Sequence, residues 1–212
     1  MRNLRQRIGR EEFDYPALMA ALSEYANPRD KVTALLLRSD IIRIKKGLYV
    51  FGDQTRRRPY SLELLANLVY GPSFVSLDSA LSFHGLIPER VEATTSVTTK
   101  RPKMFETPVG AFIYRQAPKG YFPLGMDRME EGDVAFLIAV PERALADKVR
   151  DDRGHPLRTQ AEAARYLFEE LRIDREEFEQ MAPGFLEKLA EAARSRKIAI
   201  CAGLLRKLKE RP

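Results

Sequence analysis

Residues 14–51 constrain the fold more than any other stretch: two short amphipathic helical patterns are separated only by Asn27-Pro28 and lead straight into a β-branched hairpin pattern. Asp14 is placed to cap a first helix, Pro16 falls in a first turn that tolerates proline, and Leu18, Leu22 and Tyr25 recur at i, i+4 and i+7. That spacing predicts a helix of about 11 residues. A proline pushes the residue before it out of the α region, so the pattern breaks at Asn27, which can cap a second helix with Pro28 at its first position. In that helix Val32, Leu35, Leu36 and Ser39 share one face, which leaves Lys31, Thr33, Ala34, Leu37 and Arg38 outward. An outward Leu37 departs from the amphipathic pattern.

The run Ile41 to Phe51 is apolar and β-branched on both sides of Lys45-Lys46-Gly47, where the glycine can take positive φ. Alternation puts Ile42 and Ile44 on one face of this hairpin and Arg43 and Lys45 on the other. Helix, tight turn, helix and basic-tipped hairpin predict a winged helix-turn-helix, in which the second helix enters the major groove of duplex DNA and the wing touches the adjacent backbone. Asn27, Arg29 and the first-turn amides would then position the helix on phosphates. Lys31, Thr33, Ala34 and Arg38 would face base edges or phosphates, and Arg43, Lys45 and Lys46 would grip backbone.

Charge follows the same division. Residues 1–58 carry 13 Lys and Arg against 7 Asp and Glu, whereas residues 59–212 carry 23 of each, so the whole net charge of +6 lies in the first quarter. A compact basic segment on a neutral body is the electrostatic footprint of one module that meets a polyanion. Gly52 to Pro59 has no apolar periodicity and reads as the linker, with Arg56, Arg57 and Arg58 available to track phosphates.

Beyond the linker, Ser61 can cap a helix to Tyr70 and Ser76 another from Leu77 to His84. Thr94–Thr99 and Val109–Arg115 read as strands joined by a basic hairpin, where Lys100, Arg101 and Lys103 form a second candidate DNA contact. Val134–Val140 suits a buried strand, Pro141-Glu142 opens a helix to about Arg150, and four helical patterns fill 159–210. The expected fold class is α+β. A winged helix-turn-helix over 1–58 precedes a mixed domain over 59–212, with its αβ core ending at about 150.

Residues 73–89, SFVSLDSALSFHGLIPE, followed by TSVTTKRPK at 95–103 and FETPVG at 105–110, resemble the AbiEi-type antitoxin and transcriptional regulator family. The stretches IRIKKGLYV at 42–50 and PERALADK at 141–148 are similar to that family's wing and a later helix. The resemblance implies a bacterial type IV toxin–antitoxin system linked to abortive infection of phage-infected cells. It further implies a winged helix that binds inverted repeats in the protein's own promoter. The C-terminal domain would oppose a linked nucleotidyltransferase-like toxin without a stable complex. The alternative is a promoter-binding regulator with no toxin partner, whose second domain dimerises or senses a ligand.

An enzyme would need chemistry that the chain lacks in motif form: there is no phosphate-cradling Gly-rich lysine loop, GxGxxG, GxSxG or HExxH. Asp78, His84, Glu142 and Asp147 are the set from which a metal-dependent nuclease site would have to be assembled. Three of the four have an ordinary helical reading that fits better, with Glu142 in a first turn, Asp147 on a helix surface and His84 beside a helix C-terminus. Neither catalysis, nor a metal, nor a cofactor is expected. One cysteine excludes an internal disulfide, and Cys201 falls on an apolar helix stripe. The longest apolar run is far too short to span a bilayer, and a cytoplasmic protein is expected.

Overall fold

In the N-terminal part of the computed structural model, helix α1 (Arg2–Arg7) leads to strand β1 (Glu12–Asp14) and helices α2 (Tyr15–Ala21) and α3 (Pro28–Leu37). The hairpin strands β2 (Ile41–Lys45) and β3 (Leu48–Phe51) follow. The structure describes residues 2–89 and 91–210. Asp14 caps α2 as expected, accepting a hydrogen bond from the Ala17 amide at 2.8 Å. The helix is shorter than its apolar spacing predicts. Bonds of i to i+3 type, from the Ser23 amide to Ala20 and the Tyr25 amide to Leu22, tighten the chain after Ala21. Leu18 and Leu22 are buried, while Tyr25 leaves the stripe and is 46% exposed.

Strand β3 lies between β1 and β2, antiparallel to both. The sequence reading missed β1, whose three residues pair with Val50, Tyr49 and Leu48. The two faces of this sheet serve different cores. Ile41, Tyr49 and Phe51 pack with Leu18, Leu22, Val32 and Leu35 in a small N-terminal core. Ile44, Leu48 and Val50 belong instead to the large core of the rest of the chain. Burial on both faces explains why the central strand β3 is apolar at every position.

The segment read as a linker is fixed in place. Gly52 is buried so close to the Ser39 carbonyl that a Cβ there would fall 1.8 Å from the oxygen. The Thr55 hydroxyl donates to Asp40 O, and the Arg57 amide donates to Glu11. Glu12, almost fully buried, accepts from Arg58 Nη1 at 3.0 Å, Arg58 Nη2 at 2.8 Å and the Ser61 amide at 2.9 Å. Arg58 Nε donates onward to Asp133 at 2.7 Å. These partners lie on both sides of the segment in sequence, so its polar composition reflects ionic fastening rather than freedom to move.

The second sheet has six strands in the order β6-β7-β5-β4-β9-β8. Helix α4 (Leu62–Val69) precedes β4 (Ser73–Val75), and helix α5 (Leu77–Phe83) precedes β5 (Thr94–Thr98). Strands β6 (Lys103–Thr107), β7 (Gly110–Gln116), β8 (Met126–Glu131) and β9 (Val134–Ala139) follow. The pairs β5/β7 and β4/β9 are parallel and the others antiparallel. This corrects the expected hairpin between β5 and β7. Those strands run parallel, which a short turn cannot connect, and the edge strand β6 intervenes.

Helix α6 (Pro141–Asp151) packs on α5, and α7 (Gln160–Arg165), extended by a π-helical turn over Tyr166–Glu170, leads into the C-terminal helices. These are α8 (Arg175–Gln180), α9 (Pro183–Ala193) and α10 (Arg196–Lys209). Ser61, Thr159, Asp174 and Ser195 cap their helices through side-chain hydrogen bonds. Ser76 occupies a cap position but turns its hydroxyl to Asp147 Oδ2 at 2.7 Å. Asp147 is therefore no surface acid: it is fully buried, with Arg143 Nε at 2.8 Å. Arg143 lies over the Tyr121 ring and donates to the backbone carbonyls of Tyr121 and Leu124. Cys201 is buried on the α10 stripe, and burial pushes its thiol up to about 12. No helix among the described residues is long and apolar enough to cross a membrane.

Candidate nucleic-acid interface

The outward face of α3 is set by its register in the small core. With Val32 and Leu35 buried, Arg29, Thr33 and Leu37 follow one another at i, i+4 and i+8 along the solvent side. Arg38 is exposed at the C-terminal end, where its Nε donates to Ala34 O at 3.3 Å and lies 3.7 Å from Asp40. Lys31 and Ala34 are half-buried flanks rather than the centre of this face, and the Lys31 ammonium lies over the Tyr25 ring. Asn27 stands at the N-cap position without a side-chain capping bond, and Ser39, expected inward, is exposed. Its positive φ turns the chain out of the helix.

The hairpin contains a β-bulge that the alternation argument does not anticipate. Arg43 pairs with Tyr49 but Lys45 pairs with Leu48, so one extra residue sits on β2. The insertion puts Lys45 opposite a residue of the large core and leaves Arg43 opposite one of the small core. Arg43 and Lys45 therefore do not share a face. Arg43 is exposed on the sheet face that carries the helices. Lys45 Nζ donates to Leu68 O at 2.9 Å and Val69 O at 2.6 Å, the terminal carbonyls of α4. Burial against α4 lowers the Lys45 ammonium below the usual lysine range, and the nearby charge of Lys100 lowers it further. Lys46, next in the chain, is exposed.

The second basic segment converges on that same helix end. Lys100 Nζ donates to Gly71 O at 2.5 Å and lies over the Tyr70 ring. Lys103 lies over Phe105 and Tyr70, and Arg101 O accepts from the Tyr70 hydroxyl at 3.4 Å. The hairpin tip and the β5–β6 connection thus form one basic cluster around Tyr70, although 55 residues separate Lys45 from Lys100. Tyr70 was not singled out by sequence reasoning. Nothing local marks a tyrosine at a helix end as the floor of a lysine cluster built from two distant loops.

The three linker arginines do not act together. Arg56 lies 3.3 Å from Asp53 and over the Tyr60 ring. Arg58 is held firmly charged, first by its hydrogen bonds to Glu12 and then by the charges of Glu12 and Asp133. It lines a cleft of about 310 Å³ with Arg10, Arg128 and Glu130. Arg57 projects into solvent. Among the described residues, the side chains of Arg29, Arg43, Lys46, Arg57 and Arg101 have neither hydrogen bond nor ion pair, so their charges are available to a ligand.

The four residues from which a nuclease site would be built are each engaged separately. Asp78 pairs with Lys148 at 2.6 Å, His84 Nε2 faces Ala139 O at 2.8 Å, Glu142 accepts from the Ala182 amide, and Asp147 is enclosed by Arg143 and Ser76. Among the described residues there is no group of three or more His, Cys, Asp or Glu side chains placed to hold a metal ion.

No protein-family model and no curated protein matches this chain. What the arrangement can do therefore follows from the residues alone. A helix face carrying Arg29, with Arg43 on the flanking edge strand and Lys46 at the hairpin tip, presents unpaired cations to a polyanion from three elements of one small core. Lys45, Arg58 and Lys100 are held in internal contacts.

Proposed function

We propose that the chain is a duplex-DNA-binding regulator that represses its own operon, with the segment up to residue 58 acting as a winged helix-turn-helix. The observation that carries this reading is the element order α1-β1-α2-α3-β2-β3 with β3 between its two partners. On this reading α3 serves as the recognition helix and the β2–β3 turn as the wing. The +6 charge confined to the same segment, and the unpaired cations on α3, β2 and the turn, support it. The wing here is anchored by Lys45, so Lys46 and Arg43 are its DNA-facing cations. The antitoxin role of the larger part rests on the resemblance over residues 73–115.

Two experiments test the proposal. Fluorescence anisotropy with the protein's own upstream promoter fragment at low ionic strength should give binding that survives excess unrelated duplex; loss of all signal to that competitor would reject a specific operator. Co-expression should restore growth to cells that make a toxin encoded beside this gene. Failure to restore growth, with promoter binding intact, leaves the regulator without a toxin partner.

A further inference from the structure

The outward face of α3 starts on the cation Arg29, passes Thr33 and ends on the apolar Leu37, with Arg38 at the C-cap. Leu37 is 83% exposed, far more than Tyr25, Leu68, Met104 or Met126, the other large exposed hydrophobic residues among those described. One turn earlier the Thr33 hydroxyl donates to Arg29 O at 3.2 Å. Its oxygen is thereby turned to the helix backbone, and the γ-methyl remains as its outward group. The half-buried Ala34 adds a further methyl on the flank of this face. Arg29 opens the same face, Arg38 follows Leu37 directly, Arg43 is exposed on the sheet face that packs α2 and α3, and Asp30 is the one acid on the exposed side of the helix.

We infer that α3 selects its operator mainly through the C5-methyl groups of thymine, contacted by Leu37 and the Thr33 methyl, with the flanking arginines on phosphates. This rests on the DNA-binding reading above and adds the chemistry by which sequence is read. In the major groove each base pair shows hydrogen-bonding groups, and thymine alone adds an apolar one. The face holds no Asn or Gln for adenine, and its centre has no free side-chain donor. The thymine methyl is thus the base feature that matches an exposed leucine. The arginines at the two ends of the helix favour a duplex over an apolar protein surface, because cations flanking an apolar group suit phosphates flanking a base edge.

The test uses the full chain and its own promoter fragment made in two forms, one with thymine and one with uracil throughout, which removes only the methyl groups. Wild-type protein should bind the uracil form more weakly, by about fourfold for each methyl group withdrawn from the interface. Leu37→Ala, at an exposed position where folding is unaffected, should discriminate between the two forms less than wild type, keeping only the share due to the Thr33 methyl, with its phosphate contacts retained. A Leu37→Met variant should restore part of the discrimination. Equal wild-type affinity for the two forms would overturn methyl readout and leave DNA binding standing. An identical thymine preference in wild type and Leu37→Ala would remove Leu37 from recognition. No binding to either form at low salt would reject the regulator reading itself, and with it this inference.

Discussion

The two faces of the N-terminal sheet carry similar numbers of cations but use them in opposite ways. On the face that packs α2 and α3, Arg43 and the neighbouring Arg29 extend into solvent without partners among the described residues. On the face turned to the large core, Lys45 closes the end of α4, and Arg58 fastens Glu12 to Asp133. The difference shows that net charge along the chain overstates the footprint available to a polyanion. A lysine bonded to helix-end carbonyls is already partnered, and to bind a phosphate it must first leave those bonds. The sheet is a shared wall between two cores, so the basic segment is held in one orientation to the larger part.

The largest expected consequence lies at that wall. Glu12→Ala removes the acceptor of three hydrogen bonds and leaves Arg58 with Asp133 as its one carboxylate partner, so it should lower unfolding free energy by about 3 kcal/mol in a urea titration. A loss below about 0.5 kcal/mol, the level of an ordinary surface change, would mean that the segment from Gly52 to Pro59 behaves as a tether after all. A smaller effect separates the two tip lysines. Lys45→Ala should cost about 1 kcal/mol through the α4 carbonyls, whereas Lys46→Ala should stay within about 0.5 kcal/mol. Equal costs would erase the distinction that the bulge creates. Smaller still in stability is Leu37→Ala, which should be close to neutral in the same titration because its side chain meets water; a cost above about 1 kcal/mol would place Leu37 in a contact.

Local chemistry made much of this fold legible in the sequence. Asp14 and Ser61 announced helix starts because a capping side chain acts within three residues of itself. Val134–Ala139 was readable because a strand buried by neighbours on both sides is continuously apolar. The strands that escaped notice were β1 and β4, with three residues each, and β6 and β8, whose charged residues suit sheet edges and break any period of two. At the site, the basic hairpin and the outward α3 residues followed from periodicity. The bulge that turns Lys45 away did not, because it depends on a cross-strand register that no single strand encodes. The fastening of Arg58 depends on Asp133, 75 residues away, and Asp147 reads as a surface acid until Ser76 and Arg143 close around it.

The central claim, that some cations of this segment face a duplex while others serve the fold, is tested most directly by the salt dependence of promoter binding. Plots of log K against log[salt] should be measured for wild type, for Arg29→Ala/Lys46→Ala and for Lys45→Ala/Lys100→Ala. The first pair should reduce the magnitude of the slope by about 2, at roughly 0.9 for each phosphate left without its cation, and the second should leave it unchanged. The reverse pattern, with the slope falling only when Lys45 and Lys100 are removed, would contradict the account.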